Sequence, residues 1–354
     1  MGPRFRGDGG CGTWLGKQHF TGLGSMDGDN GRAEGTAADK PGDYVLPFQL
    51  EASGARGRLI RLGPAVDEIL TRHAYPEPVL LLLGEAVALT ALLGASLKFD
   101  GRLILQTQSG GPVSFMVVQY STPGHLRGYA AFNGDEVAKA SNGGAAAKVL
   151  LGGGQLAMTI DPGAGMERYQ GIVALTGETL ADAAHEYFDR SEQIPTFIRI
   201  AVARHYTGPD GSAPGKWTWR AGGLMVQKLT AEGGRFGGGE GLASGITGDD
   251  DDDGWRRALA LAATVEDHEL LDPALPSERL LYRLFHEETV RAFTASPLAA
   301  RCGCSRERVE AMLERFSEDD IADMAKDNVI AVTCEFCNRN YKFDADRYLK
   351  RDSE

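Results

Sequence analysis

Between residues 44 and 229, apolar side chains follow helical spacing in some segments and strand-like alternation in others. Helical spacing predicts helices over 64–73, 78–98 and 178–191. Alternation between Gly- and Pro-containing turns predicts strands, which are 103–108, 113–120, 125–132, 155–160, 169–175 and 196–206. Because strands follow one another with few helices between them, the pattern indicates an α+β fold, a layered core domain with an antiparallel sheet and helices.

The segment 79–97 is almost wholly apolar and close to the length of about 20 residues that crosses a bilayer. It contains Glu85, whose charge would cost about 2.5–3.5 kcal/mol at the bilayer centre. Its many glycines and alanines would let neighbouring elements approach closely. We therefore expect a buried core helix and no membrane partner.

Glycine-rich and acidic stretches interrupt this pattern and suggest the domain boundaries. Residues 1–42 lack apolar periodicity, so we expect them to be disordered and Cys11 to be a spare exposed thiol. Further along the chain, a Gly-rich run leads into five aspartates at 249–253. Helical spacing resumes at Trp255. The predicted division is a disordered extension over 1–42, a core domain over 43–230, a flexible loop over 231–254, a helical linker region over 255–300 and a small C-terminal domain over 301–350.

Charge and cysteine usage narrow the functional class. The 354 residues include 37 basic and 49 acidic side chains, for a net charge of −12, which argues against a nucleic-acid partner. Four of the five cysteines follow residue 300, unlike the spread of a secreted disulfide framework, and residues 1–40 contain no apolar signal segment. We expect a protein of the reducing cytoplasm.

The four late cysteines form two close pairs with the spacing of a metal site. Cys302 and Cys304 are separated by one residue, and Cys334 and Cys337 by two. Two such pairs can converge on one tetrahedral Zn²⁺. No histidine follows His286, so a local site has four thiolates and no open position, which argues against a catalytic zinc.

The chain between the two pairs predicts a small foldable unit. It contains a helix over 306–316, a capping box at 317–320 that opens a second helix, a strand over 329–333 and a returning strand at 341–343. Its core is thin, so structural zinc, which supplies an apparent 10–16 kcal/mol to small domains, decides whether the unit is folded.

Two interpretations of these thiolates remain open on spacing alone. They form either an inert structural site or an oxidisable switch, because zinc-bound thiolates are also the atoms that oxidants attack. Cys334 and Cys337 have the spacing of a common disulfide. Cys302 and Cys304 require a bent backbone, which Gly303 permits.

Several longer motifs extend along the chain. They are Cys302-Gly-Cys-Ser-Arg-Glu-Arg308, Cys334-Glu-Phe-Cys337 with Tyr341-Lys-Phe343, Leu97-Lys-Phe-Asp-Gly101, Arg168-Tyr-Gln-Gly171, Gly177-Glu-Thr-Leu180, Ser191-Glu-Gln-Ile-Pro-Thr196 and Arg283-Leu-Phe-His-Glu-Glu288. Together they resemble the heat-shock protein 33 family of redox-regulated molecular chaperones. They occur in order and cover about residues 43–350. The extension over 1–42 and the insertion over 231–254 depart from the family pattern.

The resemblance implies a redox-gated holdase that is not an enzyme. In the reduced, inactive form Cys302, Cys304, Cys334 and Cys337 would bind one Zn²⁺. Oxidation would form Cys302–Cys304 and Cys334–Cys337 disulfides, release the zinc and unfold both the C-terminal zinc-binding domain and the linker. The exposed surface would bind unfolding client proteins without ATP, and the oxidised protein would be a homodimer.

Two other functional classes fit the sequence less well than a holdase. A zinc-ribbon nucleic-acid binder conflicts with the excess of acidic over basic residues after residue 297. A thiol–disulfide oxidoreductase using Cys334 and Cys337 conflicts with the turn-then-strand pattern that follows, because such enzymes place the pair at a helix N-terminus. No nucleotide-binding loop or Ser-His-Asp arrangement is assigned.

Overall fold

The structure is a computed structural model, which describes residues 42–97, 100–141, 147–163, 166–208, 214–229 and 248–349. Cys11 and all but the last residue of the predicted N-terminal extension lie outside these residues, as do 231–247 of the predicted loop.

The described strands are β1 (Tyr44–Leu50), β2 (Ala55–Leu62), β3 (Arg102–Gln108), β4 (Phe115–Ser121), β5 (His125–Ala131), β6 (Gln155–Asp161), β7 (Tyr169–Ala174), β8 (Thr196–Thr207), β9 (Lys216–Lys228), β10 (Val290–Ala292), β11 (Ser296–Pro297), β12 (Ala299–Ala300), β13 (Val329–Thr333) and β14 (Asn340–Asp344). The described α-helices are α1 (Pro64–Thr71), α2 (Glu77–Gly94), α3 (Gly134–Ser141), α4 (Ala147–Leu151), α5 (Leu180–Tyr187), α6 (Gly248–Ala262), α7 (Asp267–Leu271), α8 (Ser277–Phe285), α9 (Arg306–Leu313), α10 (Glu318–Met324) and α11 (Asp346–Leu349).

Two sheets form the core, and they confirm the predicted α+β class. The first has the order β10-β1-β2-β9-β8, with β11 also paired to β1. The second has the order β12-β5-β4-β3-β6-β7. Pairing is antiparallel throughout both sheets except between β12 and β5. Helix α2 lies between the sheets, and their facing sides form one large apolar cluster around it.

Helix α2 is the predicted apolar segment, and it is a core helix. It is long and apolar enough to cross a membrane, but 72% of it is buried inside the protein. Glycines allow its close approach to both sheets: a Cβ at Gly84 would lie 2.7 Å from Val202 of β8, and a Cβ at Gly94 would lie 2.3 Å from Tyr120 of β4. Glu85 is satisfied locally, because its carboxylate accepts from the Leu180 backbone N–H at the start of α5, at 2.8 Å.

The outer face of the first sheet carries the helical linker. Helices α6, α7 and α8 pack against it in a second apolar cluster that includes Phe48, Leu59, Leu281 and Phe285, all almost fully buried. Polar contacts add to this packing. Buried Arg61 of β2 donates to the carbonyl oxygens of Glu269 at 2.7 Å and Leu275 at 3.2 Å, near the C-terminal end of α7.

The linker differs from its predicted form at both ends. Helix α6 begins at Gly248, so the five aspartates belong to this helix and not to the loop predicted over 231–254. Helical structure ends at Glu288, and 290–300 forms the short strands β10, β11 and β12, which corrects the prediction of a wholly helical segment over 255–300. These strands exist only because the edges of the two core sheets offer them partners.

The C-terminal module contains the predicted elements. Helix α10 opens with a capping box in which Ser317 and Asp320 exchange hydrogen bonds, and β13 and β14 form an antiparallel pair. Its apolar cluster is small and is formed by Leu313, Ile321, Ile330, Tyr341, Phe343, Ala345 and Tyr348. The module therefore has little apolar burial to hold it together.

Candidate metal centre

The first cysteine pair lies on a loop whose backbone is held at two points. Ser305 caps helix α9 by accepting a hydrogen bond from the Arg308 backbone N–H at 3.3 Å. The Arg308 guanidinium in turn donates to the Gly303 carbonyl oxygen at 2.6 Å. Cys302 and Cys304 are thus held on either side of a fixed glycine.

The second pair lies on the turn between β13 and β14, which we call the knuckle, residues 334–338. The Cys334 N–H donates to the Arg339 carbonyl oxygen at 2.9 Å, and the Asn338 N–H donates to the Cys334 carbonyl oxygen at 2.8 Å. Asn338 has a φ of 55°, a left-handed conformation that asparagine tolerates better than most residues. The hairpin therefore turns both thiols toward the first pair.

The structure brings the four predicted thiols together. All four Sγ atoms lie within 4.8 Å of one another, and none forms a disulfide. The Sγ atoms of Cys302 and Cys334 lie 3.7 Å apart, and those of Cys304 and Cys337 lie 3.2 Å apart. A tetrahedron with Zn–S bonds of about 2.3 Å has S–S edges of about 3.8 Å, so the donor set and its size fit a four-thiolate metal ion.

The electrostatics of the cluster also favour a cation. Burial acts to raise the pKa of Cys304, but hydrogen bonds from Tyr341, at 3.3 Å, and from the other thiols outweigh it and lower that pKa to about 7. Burial raises the pKa of Cys334, and it raises the pKa of Cys337 to about 12. The thiolate form is therefore favoured at one cysteine, Cys304. For all four thiols to be ionised at the same time, a positive charge must lie among them.

Sequence reasoning missed that the knuckle contacts the core domain. Phe336 lies under the guanidinium of Arg127 on β5, with 4.1 Å between the guanidinium carbon and the ring centroid. His73, just after α1, lies with its Nε2 2.6 Å from the Glu335 carbonyl oxygen. An aromatic residue between two metal-ligand candidates was a signal for such a contact, but its partner lies about 200 residues away in the chain.

Comparison with known proteins is consistent with the fold and the thiol cluster. The profile of the family described as Hsp33 protein matches residues 43–344. The 33 kDa chaperonin of Caulobacter vibrioides is 47% identical over 305 residues, covering 85% of this chain and 95% of that protein. The 33 kDa chaperonin of Azotobacter vinelandii is 39% identical over 305 residues, covering 86% of this chain and 92% of that protein.

The fold also matches a solved structure. The 33 kDa chaperonin (heat shock protein 33 homolog) of Thermotoga maritima superposes with a TM-score of 0.66 at 21% identity, covering 87% of this chain and 98% of that one. The fold and the site together define an α+β protein with a C-terminal four-cysteine module. The chain belongs to the Hsp33 family of chaperones.

Proposed function

We propose that this chain is a redox-regulated, ATP-independent holdase whose reduced, zinc-bound form is inactive and whose oxidised form binds unfolding proteins. The observation that carries the proposal is the convergence of four thiols in a module whose apolar core is too small to hold it folded unaided. Membership of a chaperone family supports the same conclusion.

Cys302, Cys304, Cys334 and Cys337 would hold one Zn²⁺. The ion, when bound, supplies the positive charge that lets four thiolates lie within 4.8 Å of one another. The chain supplies the rest of the site: Tyr341 donates to the Cys304 sulfur, and the Gly303 and knuckle backbones hold the sulfurs in place.

Oxidation is proposed to join Cys302 to Cys304 and Cys334 to Cys337. Each bond consumes two thiolates and passes two electrons to an oxidant such as hypochlorite or peroxide, which takes up two protons from solvent and leaves as chloride and water or as water. No thiolate then remains as a ligand. Disulfides across the observed contacts of 3.7 and 3.2 Å would tie the two halves of the module together. Disulfides within each pair, the pairing that the family resemblance implies, would leave the halves unlinked and let the module open.

Opening would pass to the linker through continuous chain. Cys302 directly follows Arg301, whose N–H donates to the Leu126 carbonyl oxygen of β5 at 2.8 Å. Loss of that anchor frees the segment that leads back to α8. When α6–α8 leave, the outer face of the first sheet is exposed with Phe48 and Leu59, which are almost fully buried in the closed form. This apolar face suits unfolding client proteins.

The proposal includes a homodimer in the oxidised state and location in the reducing cytoplasm, where the thiols stay reduced until stress. It assigns no catalytic residue, no nucleic-acid partner and no membrane partner. Neither the zinc-ribbon nucleic-acid binder nor the oxidoreductase that would use Cys334 and Cys337 is favoured by any contact described above.

The test measures zinc content and suppression of client aggregation before and after oxidation. We expect one tightly bound zinc and little suppression in the reduced protein, and zinc loss with strong suppression after oxidation. Cys334→Ser should lose tight zinc and suppress aggregation without oxidant, because three ligands cannot close the site, whereas the matched control Cys11→Ser should behave as wild type. Retained zinc after oxidation, or equal suppression in both states, contradicts the proposal.

A further inference from the structure

Residues 288–301, which we call the strap, join the linker helices to the first cysteine pair and lie along both core sheets. Strands β10 and β11 pair with β1, and β12 pairs with β5. The strap begins at buried Glu288, whose carboxylate accepts from Arg257 of α6 at 2.9 Å. It ends one residue before Cys302. Among the described residues, the strap therefore occupies an edge of β1 with which no other strand of the core domain pairs.

Backbone hydrogen bonds hold the strap on β1. The Phe293 N–H donates to the Pro47 carbonyl oxygen at 2.9 Å, and the Glu51 N–H donates to the Thr289 carbonyl oxygen at 3.3 Å. Between these two contacts, Arg291 is directly opposite Gln49. In an antiparallel ladder, the main-chain groups of successive residues face alternate sides of the strand. The N–H and C=O of Thr289, Arg291 and Phe293 therefore face β1, and those of the residues between them face away from it.

Side chains contribute little to this contact. Leu298 is buried in the main core at 4% exposure, and Val290 and Ala295 are partly buried against the linker cluster. Phe293 and Ala300 are also partly buried, and the remaining strap side chains are exposed, namely Thr289, Arg291, Ala292, Thr294, Ser296, Pro297, Ala299 and Arg301. An edge that recognises the main chain in this way accepts many sequences, as a general chaperone requires.

The edge itself is only partly protected against pairing. Pro47 has no N–H, and its carbonyl faces the strap, so its missing donor lies on the strap side of β1. The gap between β10 and β11 falls opposite this position, since β10 pairs as far as Phe48 and β11 begins at Val45. Residues 48–51 on one side of the proline remain a normal strand edge, of the kind to which other chains add.

We propose that the edge of β1 binds an extended segment of the client by antiparallel strand addition, in the place that the strap occupies in the closed form. This inference rests on the proposed function and goes beyond it by naming the binding geometry. The favoured client segment is extended and has apolar residues at alternate positions. One face of the added strand continues the apolar face formed by Tyr44, Leu46, Phe48 and Leu50, and the other tolerates any side chain.

A synthetic peptide of residues 288–301 tests the geometry by competing with an unfolded client for the oxidised full-length protein. We expect the unmodified peptide to compete. N-methylation at Arg291 and Phe293 removes two donors that face β1 and should weaken competition about 30-fold, at about 1 kcal/mol per hydrogen bond. N-methylation at Val290 and Ala292, whose N–H groups face away, is the matched control and should have little effect.

A variant of the protein gives an independent readout. Gln49→Pro removes the β1 donor opposite Arg291 while its ring faces the strap, as that of Pro47 does, so pairing with β2 is preserved. We expect faster hydrogen exchange at strap amides in the reduced form and about fivefold weaker peptide binding in the oxidised form, relative to Gln49→Ala. If the strap only blocks access to a binding surface elsewhere, Gln49→Pro should loosen the strap and bind the peptide more strongly instead.

The outcomes separate the two proposals. Aggregation suppression that depends on oxidation, together with no competition by the peptide or equal competition by both methylated forms, overturns strand addition and leaves the holdase standing. Unchanged or stronger peptide binding by Gln49→Pro also overturns it. An oxidised protein that does not suppress aggregation overturns both.

Discussion

Replacing Phe285 with alanine should separate release of the linker from oxidation of the thiols. Phe285 ends helix α8, is fully buried and stacks on Phe48 of β1 with ring centroids 5.7 Å apart. Truncating a buried phenylalanine costs about 3–5 kcal/mol. If that cost falls on the closed state, the ratio of released to docked linker rises about 150-fold to 4,000-fold. We therefore expect reduced Phe285→Ala to suppress client aggregation without oxidant.

The assay compares this variant with Tyr282→Ala, which truncates an aromatic residue on the same helix that is 65% exposed. Zinc content must be measured alongside, because the thiols lie in a separate apolar cluster and should keep their metal. Far-ultraviolet circular dichroism shows whether the core, which is organised around α2, stays folded. A reduced Phe285→Ala protein that keeps its zinc and its fold but does not hold clients would refute the claim that linker release exposes the client surface.

Two further predictions concern the core. A Cβ at Gly124 would lie 2.2 Å from the Pro297 carbonyl oxygen, so Gly124→Ala should speed hydrogen exchange of the strap amides in the reduced protein. Gly110→Ala, where no atom lies within 4 Å of the added Cβ, should leave this exchange unchanged. Equal exchange in the two variants would contradict the contact between Gly124 and Pro297. Burial raises the pKa of Glu85 from its usual 4.5 to about 7, despite hydrogen bonds from the α5 N-terminus. A raised pKa in the folded state means that stability contributed by the neutral carboxyl is greatest below pH 4.5 and is lost as pH rises to about 7. Glu85→Gln should therefore gain stability over wild type, on the order of 3 kcal/mol, between pH 5 and 8, as measured by urea denaturation. If the free energies of unfolding of the two proteins change with pH in parallel, the raised pKa of Glu85 is contradicted.

Several strands that the sequence predicted have one partly exposed face, whereas β1 and β2 were not predicted although part of each alternates between buried and partly exposed positions. Strands β3, β5 and β6 alternate between buried and partly exposed positions, and their predicted bounds agree with the structure to within a residue. Strand β9 was missed because its second half, from Ala221 to Gln227, is buried without interruption, so no alternation marks it. The strap strands were missed because two or three residues carry no periodicity, and only the neighbouring edge makes them strands.

The thiol cluster, unlike the strap strands, was predictable because its signals are local in the sequence. Its ligand candidates lie in two short motifs only about 30 residues apart, and the elements between them have strong local signals such as the capping box of α10. What the motifs could not show was how the module sits on the core. The contact of Phe336 with Arg127 and that of His73 with Glu335 join segments about 200 or more residues apart, and neither side has a local pattern that names the other.

The position of the strap explains how so small a module can control a much larger surface. In the proposed function, oxidation would act on atoms within a module that has seven buried apolar residues, and the chain that precedes Cys302 is already the strand that pairs with β5. That strand leads through β10 to α8, whose Phe285 lies on the apolar face of β1. In the proposed switch, loss of the module would remove the anchor at one end of this series, and the rest would open only if the apolar cluster of α6–α8 on the first sheet is also given up. In the proposed holdase, the state of the metal site would determine whether the series begins to open, without energy from nucleotide hydrolysis.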